Sequence, residues 1–119
     1  MKKILVLDDE VDILTLVEII LTRNNFKVET ISRWQDIHQS IKSFNPDAIL
    51  MDVSLGGGAD GREICYKLKT EKDTAHIPVI IFSANFDIEN NLRDCKADAI
   101  IVKPFTSAEI INKIAGVLN

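Results

Sequence analysis

The sequence has few of the features that usually advertise a function. It holds two cysteines in 119 residues, Cys65 and Cys95. They are too far apart for a C-x-x-C redox pair or a metal-ligand spacing. Both fall on apolar faces of predicted helices, where a reduced thiol is a packing group. Without a Cys and His cluster there is no zinc site to predict. No apolar run approaches the roughly 20 residues needed to span a bilayer. The stretch between Lys3 and Asp8 is also too short for the hydrophobic region of a secretory signal. A cytoplasmic protein with no membrane association is the expectation. The 14 Lys and Arg are scattered among 18 Asp and Glu, and a net charge of −4 without a basic stripe argues against direct nucleic-acid binding. Neither G-x-x-x-x-G-K-[ST] nor G-x-G-x-x-G occurs, so Gly56, Gly57 and Gly58 read as a flexible loop rather than a phosphate cradle.

What is present is a regular alternation of short apolar runs and amphipathic stretches. With 46% hydrophobic and 27% charged residues, the chain reads as one globular domain over residues 1–119. The runs at 3–7, 48–51, 79–82 and 99–102 are bounded by charge or proline and predict strands covered on both faces. Residues 26–31, with Lys27 and Glu29 between apolar neighbours, predict a less buried edge strand. Ile13, Val17, Ile20 and Leu21 recur at helical spacing over residues 12–24. Ser32 and Gln35 form a capping-box pattern ahead of a second helix, with Trp34, Ile37, Ile41 and Phe44 as its buried stripe and Asn45-Pro46 as its stop. Asp60 and Glu63 open a third helix, residues 88–95 a short fourth, and Thr106 with Glu109 caps the last. Five strands alternating with five helices require a parallel sheet, because each crossover helix returns the chain to start the next strand in the same direction.

That topology gives the polar strand ends a meaning. Taken alone, Asp52 is a polar residue ending a strand. In a parallel sheet, however, Asp8 and Asp9, Asp52, Ser83 and Lys103 all leave the carboxyl ends of strands, where the diverging loops form a crevice. Three carboxylates gathered there repel one another and stay ionised most easily around a hard cation. Magnesium or manganese fits an all-oxygen donor set. Lys103 offers a point charge for a phosphoryl oxygen, and the Ser83 hydroxyl a hydrogen bond. Acids, metal, hydroxyl and ammonium together describe phosphoryl transfer with a carboxylate nucleophile, and Asp52, alone at the end of the central strand, is the predicted acceptor.

The motifs I-L-V-L-D-D-E at 4–10, I-L-M-D at 49–52, I-I-F-S-A at 80–84 and K-P-F at 103–105, in this order and spacing, resemble the receiver domain of two-component response regulators, in the manner of its single-domain, chemotaxis-type members. The resemblance spans the whole chain. It implies a flavodoxin-like, doubly wound (βα)5 fold with strand order 2-1-3-4-5. It implies that Asp52 is phosphorylated by a histidine kinase or histidine phosphotransfer domain. Asp9 and Asp52 would bind Mg2+ directly, Asp8 through water, and the Ser54 backbone carbonyl would complete the protein's ligands. Ser83 and Lys103 would hold the phosphoryl oxygens, with a cis bond before Pro104. Such a domain promotes only its own phosphorylation and dephosphorylation. It would signal through the surface of its fourth helix, fifth strand and fifth helix to a downstream protein or a fused effector, with a phosphorylation-dependent homodimer among the allowed assemblies. Two departures stand out: Leu55 and three glycines replace the usual proline-containing loop and lengthen it by one residue before Gly61, and Ile100 occupies the switch position that is commonly aromatic. These departures favour, as an alternative, a degenerate receiver acting as a binding module, although all five core positions are intact. An aspartate-nucleophile phosphatase of the haloacid dehalogenase type would need a second aspartate where this chain has Ser54.

Overall fold

The computed structural model describes residues 1–84 and 95–118. Five parallel strands, β1 (Lys3–Leu7), β2 (Lys27–Ile31), β3 (Ala48–Asp52), β4 (Val79–Ser83) and β5 (Ala99–Val102), form one sheet in the order β2-β1-β3-β4-β5. The expected fold class and strand order are therefore observed. Four helices accompany the strands among the described residues: α1 (Val11–Arg23), α2 (Ile37–Phe44), α3 (Gly61–Thr70) and a final helix, α4 (Ser107–Leu118). The helix expected over residues 88–95 lies outside the described residues, apart from Cys95 at its end. No helix among the described residues is long and apolar enough to cross a membrane.

The strand sequences are apolar at successive positions because both sheet faces are covered. Every residue of β3 and β4 is buried, whereas β2 at the edge is only partly so. Side chains alternate between faces. Ile4, Val6, Leu50 and Phe82 meet Leu14 and Leu21 of α1 and Ile110 of α4. Leu5, Ile49, Met51 and Ile81 meet Ile37 of α2 and Cys65 and Leu68 of α3. Both cysteines are buried and outside any disulfide, and the Cys65 Sγ donates to the Cys95 carbonyl oxygen at 3.3 Å. Burial, reinforced by the neighbouring Cys95, pushes the Cys65 pKa above the ordinary thiol range, so it remains a packing group as expected.

Helix ends follow the sequence at some positions and depart at others. Asn45 ends α2 in the left-handed conformation at φ 53°, with its N–H on the Ile41 carbonyl. Thr106 and Glu109 form the expected reciprocal cap, at 3.1 Å from the Glu109 N–H to the Thr106 Oγ1 and 3.4 Å in return. Asp60 caps α3 by accepting the Arg62 N–H at 2.8 Å, and the Arg62 guanidinium closes on the Asp60 carboxylate at 2.7 Å. The Ser32 and Gln35 box does not form. A turn of 3-10 helix over Trp34–Asp36 replaces the first α-turn, so Asp36 stands at the N-cap of α2 without a side-chain cap bond. Trp34 accordingly precedes the amphipathic period, and it is 37% exposed instead of joining the buried stripe.

The amino-terminal edge of the sheet carries a device that sequence patterning did not reveal. Asp47 and Asp98 each stand before an Ala-Ile strand start, and each clamps the neighbouring strand. The Lys3 N–H donates to Asp47 Oδ2 at 2.7 Å while the Asp47 N–H returns to the Lys3 carbonyl at 2.7 Å. The Val79 N–H likewise donates to Asp98 Oδ2 at 2.8 Å, with a 2.8 Å return. Lys69 ties α3 to the second clamp, reaching Asp98 Oδ2 at 2.9 Å and the Ile77 carbonyl at 3.1 Å. These bonds fix the register of β3 on β1 and of β5 on β4. Asp98→Ala strands the buried Val79 N–H and leaves Lys69 only the Ile77 carbonyl of these two partners, and is expected to cost about 2 kcal/mol in urea unfolding. Asp98→Asn, which keeps an acceptor, should cost less. Equal stability of wild type and Asp98→Ala would show that the clamp contributes nothing.

Candidate functional site

Parallel pairing in this register delivers four polar groups to the opposite edge. Asp8 follows β1, Asp52 ends β3, Ser83 ends β4 and Lys103 follows β5. Asp52 pairs in register with Phe82, and Ser83 with Val102. Asp8, Asp52 and Ser83 are buried, whereas Asp9 is exposed. One carboxylate oxygen from each of Asp8, Asp9 and Asp52 lies within 4.8 Å of the other two. The predicted acids thus come together, as does Lys103, whose Nζ is 3.4 Å from Asp8 Oδ2 and 3.5 Å from Asp52 Oδ2.

The two buried carboxylates are oriented alike. Asp8 Oδ1 accepts the Glu10 N–H at 2.9 Å and Asp52 Oδ1 accepts the Val53 N–H at 2.9 Å. Each therefore holds one oxygen on the backbone and turns the other toward Lys103. The lysine in turn lies 4.7 Å from the Phe82 ring centroid and is 17% exposed. Its N–H donates to the Ser83 carbonyl at 2.9 Å, and its bond to Pro104 is cis, as expected. Burial raises the Asp8 pKa from 3.8 to about 6. The Glu10 N–H and Lys103 oppose this rise, while the charge of Asp52 and a side-chain hydrogen bond with Asp9 add to it. Burial also raises the Asp52 pKa, against the lowering effects of Lys103 and the Val53 N–H.

The segment after Asp52 is shaped by its glycines. Ser54, exposed, bridges to Asp60, and the Gly61 N–H donates to the Val53 carbonyl at 2.7 Å. A Cβ at Gly61 would collide with the Asp52 carbonyl oxygen, so glycine is needed where α3 starts against the strand. Gly56, Gly57 and Gly58 all have positive φ, at 74°, 59° and 79°. Reading this run as unstructured freedom missed that it forms a defined turn, closed by the Ala59 N–H on the Gly56 carbonyl at 3.0 Å. Ile100 is 9% exposed, pairs in register with Ile81 and belongs to the core on the α2 and α3 face.

The carboxyl edge of this parallel sheet carries acids, a hydroxyl and an ammonium, and the family that the chain matches is one of signalling domains rather than classical enzymes. The chain belongs to the response regulator receiver domain family, whose model matches residues 4–115. It is 33% identical over 120 residues to the response regulator ArlR of Staphylococcus aureus, covering 99% of this chain and 53% of that protein. It is 31% identical over 119 residues to the phosphate regulon transcriptional regulatory protein PhoB of Pseudomonas aeruginosa, covering 98% of this chain and 52% of PhoB. The chain therefore spans about half the length of these two regulators. Among solved structures it resembles the receiver domain of the sensor histidine kinase PA1611 from Pseudomonas aeruginosa, which has a magnesium ion coordinated in its active-site cleft. That match has 25% identity and a TM-score of 0.86, and covers 98% of this chain and 97% of that one.

The raised pKa of Asp8 fixes a pH dependence. The stability it contributes is fully present below 3.8, where folded and unfolded chains are both protonated, and is lost as pH rises through about 6, where the folded protein must ionise a buried acid. In metal-free buffer, Asp8→Asn is therefore expected to gain stability over wild type by roughly 2 to 3 kcal/mol near pH 7.5 and by little near pH 4. Urea unfolding across this range measures the difference, and parallel pH profiles for the two proteins would contradict it.

Proposed function

We propose that Asp52 accepts a phosphoryl group from the phosphohistidine of a cytoplasmic histidine kinase or histidine phosphotransfer domain, supported by Mg2+ or Mn2+ at the neighbouring acids. The observation that carries this reading is the buried Asp52 carboxylate, held by the Val53 N–H on one oxygen and 3.5 Å from Lys103 on the other. The donor set fits a hard divalent cation: three carboxylates with mutually close oxygens, and no soft ligand among them. Asp9, Asp52 and the Ser54 carbonyl would hold the ion directly and Asp8 through water. Bound there, it would neutralise charge on the phosphoryl oxygens.

The remaining work falls to the chain itself. A carboxylate oxygen of Asp52 attacks phosphorus as the bond from phosphorus to the donor imidazole nitrogen breaks, and the product is an acyl phosphate on Asp52. Lys103, already between two acids, can pair with a transferred oxygen at small reorganisation cost, which is the condition for effective electrostatic stabilisation. The Ser83 hydroxyl donates to a second phosphoryl oxygen. Output passes through the surface built around β5 to a downstream protein or a fused effector, and a homodimer on that surface is one form it can take. With Ile100 buried among aliphatic neighbours, the response there proceeds by repacking and without the swing of an aromatic ring.

Incubation with acetyl phosphate and Mg2+ is expected to add one labile phosphate by intact mass, released by hydroxylamine as an acyl phosphate is. Asp52→Asn should abolish the label, chelation of the metal should prevent it, and Lys103→Ala should slow its appearance by about tenfold or more. Labelling is expected to be stoichiometric, without turnover of small phosphate esters. A label that persists in Asp52→Asn, or that maps to Ser83, would overturn the assignment.

A further inference from the structure

We propose that Gly56 is a positioning residue for the Asp9 carboxylate, and that the missing side chain at this position sets a preference of the acid cluster for Mg2+ over Ca2+. The inference rests on the reading of the cluster as a divalent-cation site. Its basis is a difference among three adjacent glycines that look equivalent in sequence. All three adopt left-handed backbone, at φ 74°, 59° and 79°. A Cβ built on Gly57 or Gly58 meets nothing within 4 Å, whereas one on Gly56 lies 3.2 Å from Asp9 Oδ2, 3.8 Å from its Cβ and 3.9 Å from its Cγ. The turn therefore points position 56 at the one exposed acid of the cluster. Gly57 and Gly58 instead line a separate groove of about 980 Å3 beside Trp34 and Tyr66.

The consequence follows from what holds Asp9. Asp8 and Asp52 are buried and each is fixed by a backbone N–H. Asp9 is exposed and stands against the turn, so its carboxylate is the member of the cluster that a neighbour can most easily displace. An oxygen-to-carbon separation of 3.2 Å is shorter than comfortable van der Waals contact. A methyl group at 56 would push Oδ2 aside by a few tenths of an ångström. Magnesium demands near-ideal octahedral geometry at about 2.0 to 2.1 Å from its ligands, while calcium accepts about 2.3 to 2.6 Å in irregular arrangements. A small shift of one ligand therefore weakens magnesium more than calcium.

The glycines supply their own controls. Gly56→Ala, Gly57→Ala and Gly58→Ala share the backbone penalty of a left-handed alanine, so melting temperatures without metal should fall in all three. Isothermal titration with Mg2+ and with Ca2+ then isolates position 56. Gly57→Ala and Gly58→Ala are expected to keep the wild-type affinities. Gly56→Ala should lose about tenfold or more in Mg2+ affinity and distinctly less for Ca2+, lowering the ratio of the two. Asparagine tolerates left-handed φ, so Gly56→Asn beside Gly57→Asn repeats the comparison if the alanine variants fold poorly. Equal Mg2+ affinity in the position 56 and 57 variants overturns the proposal while leaving the metal site intact, as does an equal loss for both cations. A wild type that binds no Mg2+ overturns the proposal together with the site reading beneath it.

Discussion

The ammonium of Lys103, shared between the buried carboxylates of Asp8 and Asp52 at 3.4 and 3.5 Å, is the interaction on which the site depends. Two unit negative charges about 4 Å apart repel by roughly 4 kcal/mol at an effective dielectric near 20, before desolvation is counted. One cation opposite both lets the fold close over them. It also leaves the charge balance incomplete, since one ammonium faces two buried acids and the exposed carboxylate of Asp9. Burial, with the charge of Asp52 adding to it, raises the Asp8 pKa to about 6. A site in this condition gains from any further positive charge and is ready to exchange the partners of its lysine. Those are the properties a phosphoacceptor requires.

The two edges of the sheet divide stability and function between them. At the amino-terminal edge Asp47 and Asp98 have backbone partners on adjacent strands, and Lys69 reinforces one of them. Polar groups there are satisfied and fix register. At the carboxyl edge the same residue type is buried under strain of charge, and each acid keeps an oxygen directed at Lys103. Register carries the connection: a slip of one residue in a strand turns every side chain to the opposite face and would remove its polar group from the crevice. The clamps at one edge thus hold the alignment that the other edge uses.

Two features individualise this receiver. The glycine turn after β3 brings backbone close to Asp9 at one position and leaves it open at the next two. On the edge strand β5, Ile100 fills a core position beside Ile81. A β-branched side chain is restricted at χ1, which suits fixed packing on a strand. The turn lies beside the acids gathered at the carboxyl edge, and β5 leads to the ammonium there.

Much of this protein was legible in the sequence because its signals are local and repeated. Short apolar runs ended by Asp8, Asp52, Ser83 and Lys103, with amphipathic stretches between them, determined a parallel sheet, and parallel strands must present their carboxyl ends together. Caps whose partners lie within a few residues, such as Thr106 with Glu109, were equally readable. Tertiary structure decided what depends on groups distant in the chain. It separated the buried Asp8 from the exposed Asp9, paired Asp98 with Val79 and Lys69, and turned Trp34 out of the helix stripe through a 3-10 turn. It also distinguished Gly56 from its two neighbours. The physical reason is the range of the forces: periodicity and capping act within a turn or two of chain, whereas burial, charge balance and steric approach are set by atoms that only the folded sheet brings within a few ångströms.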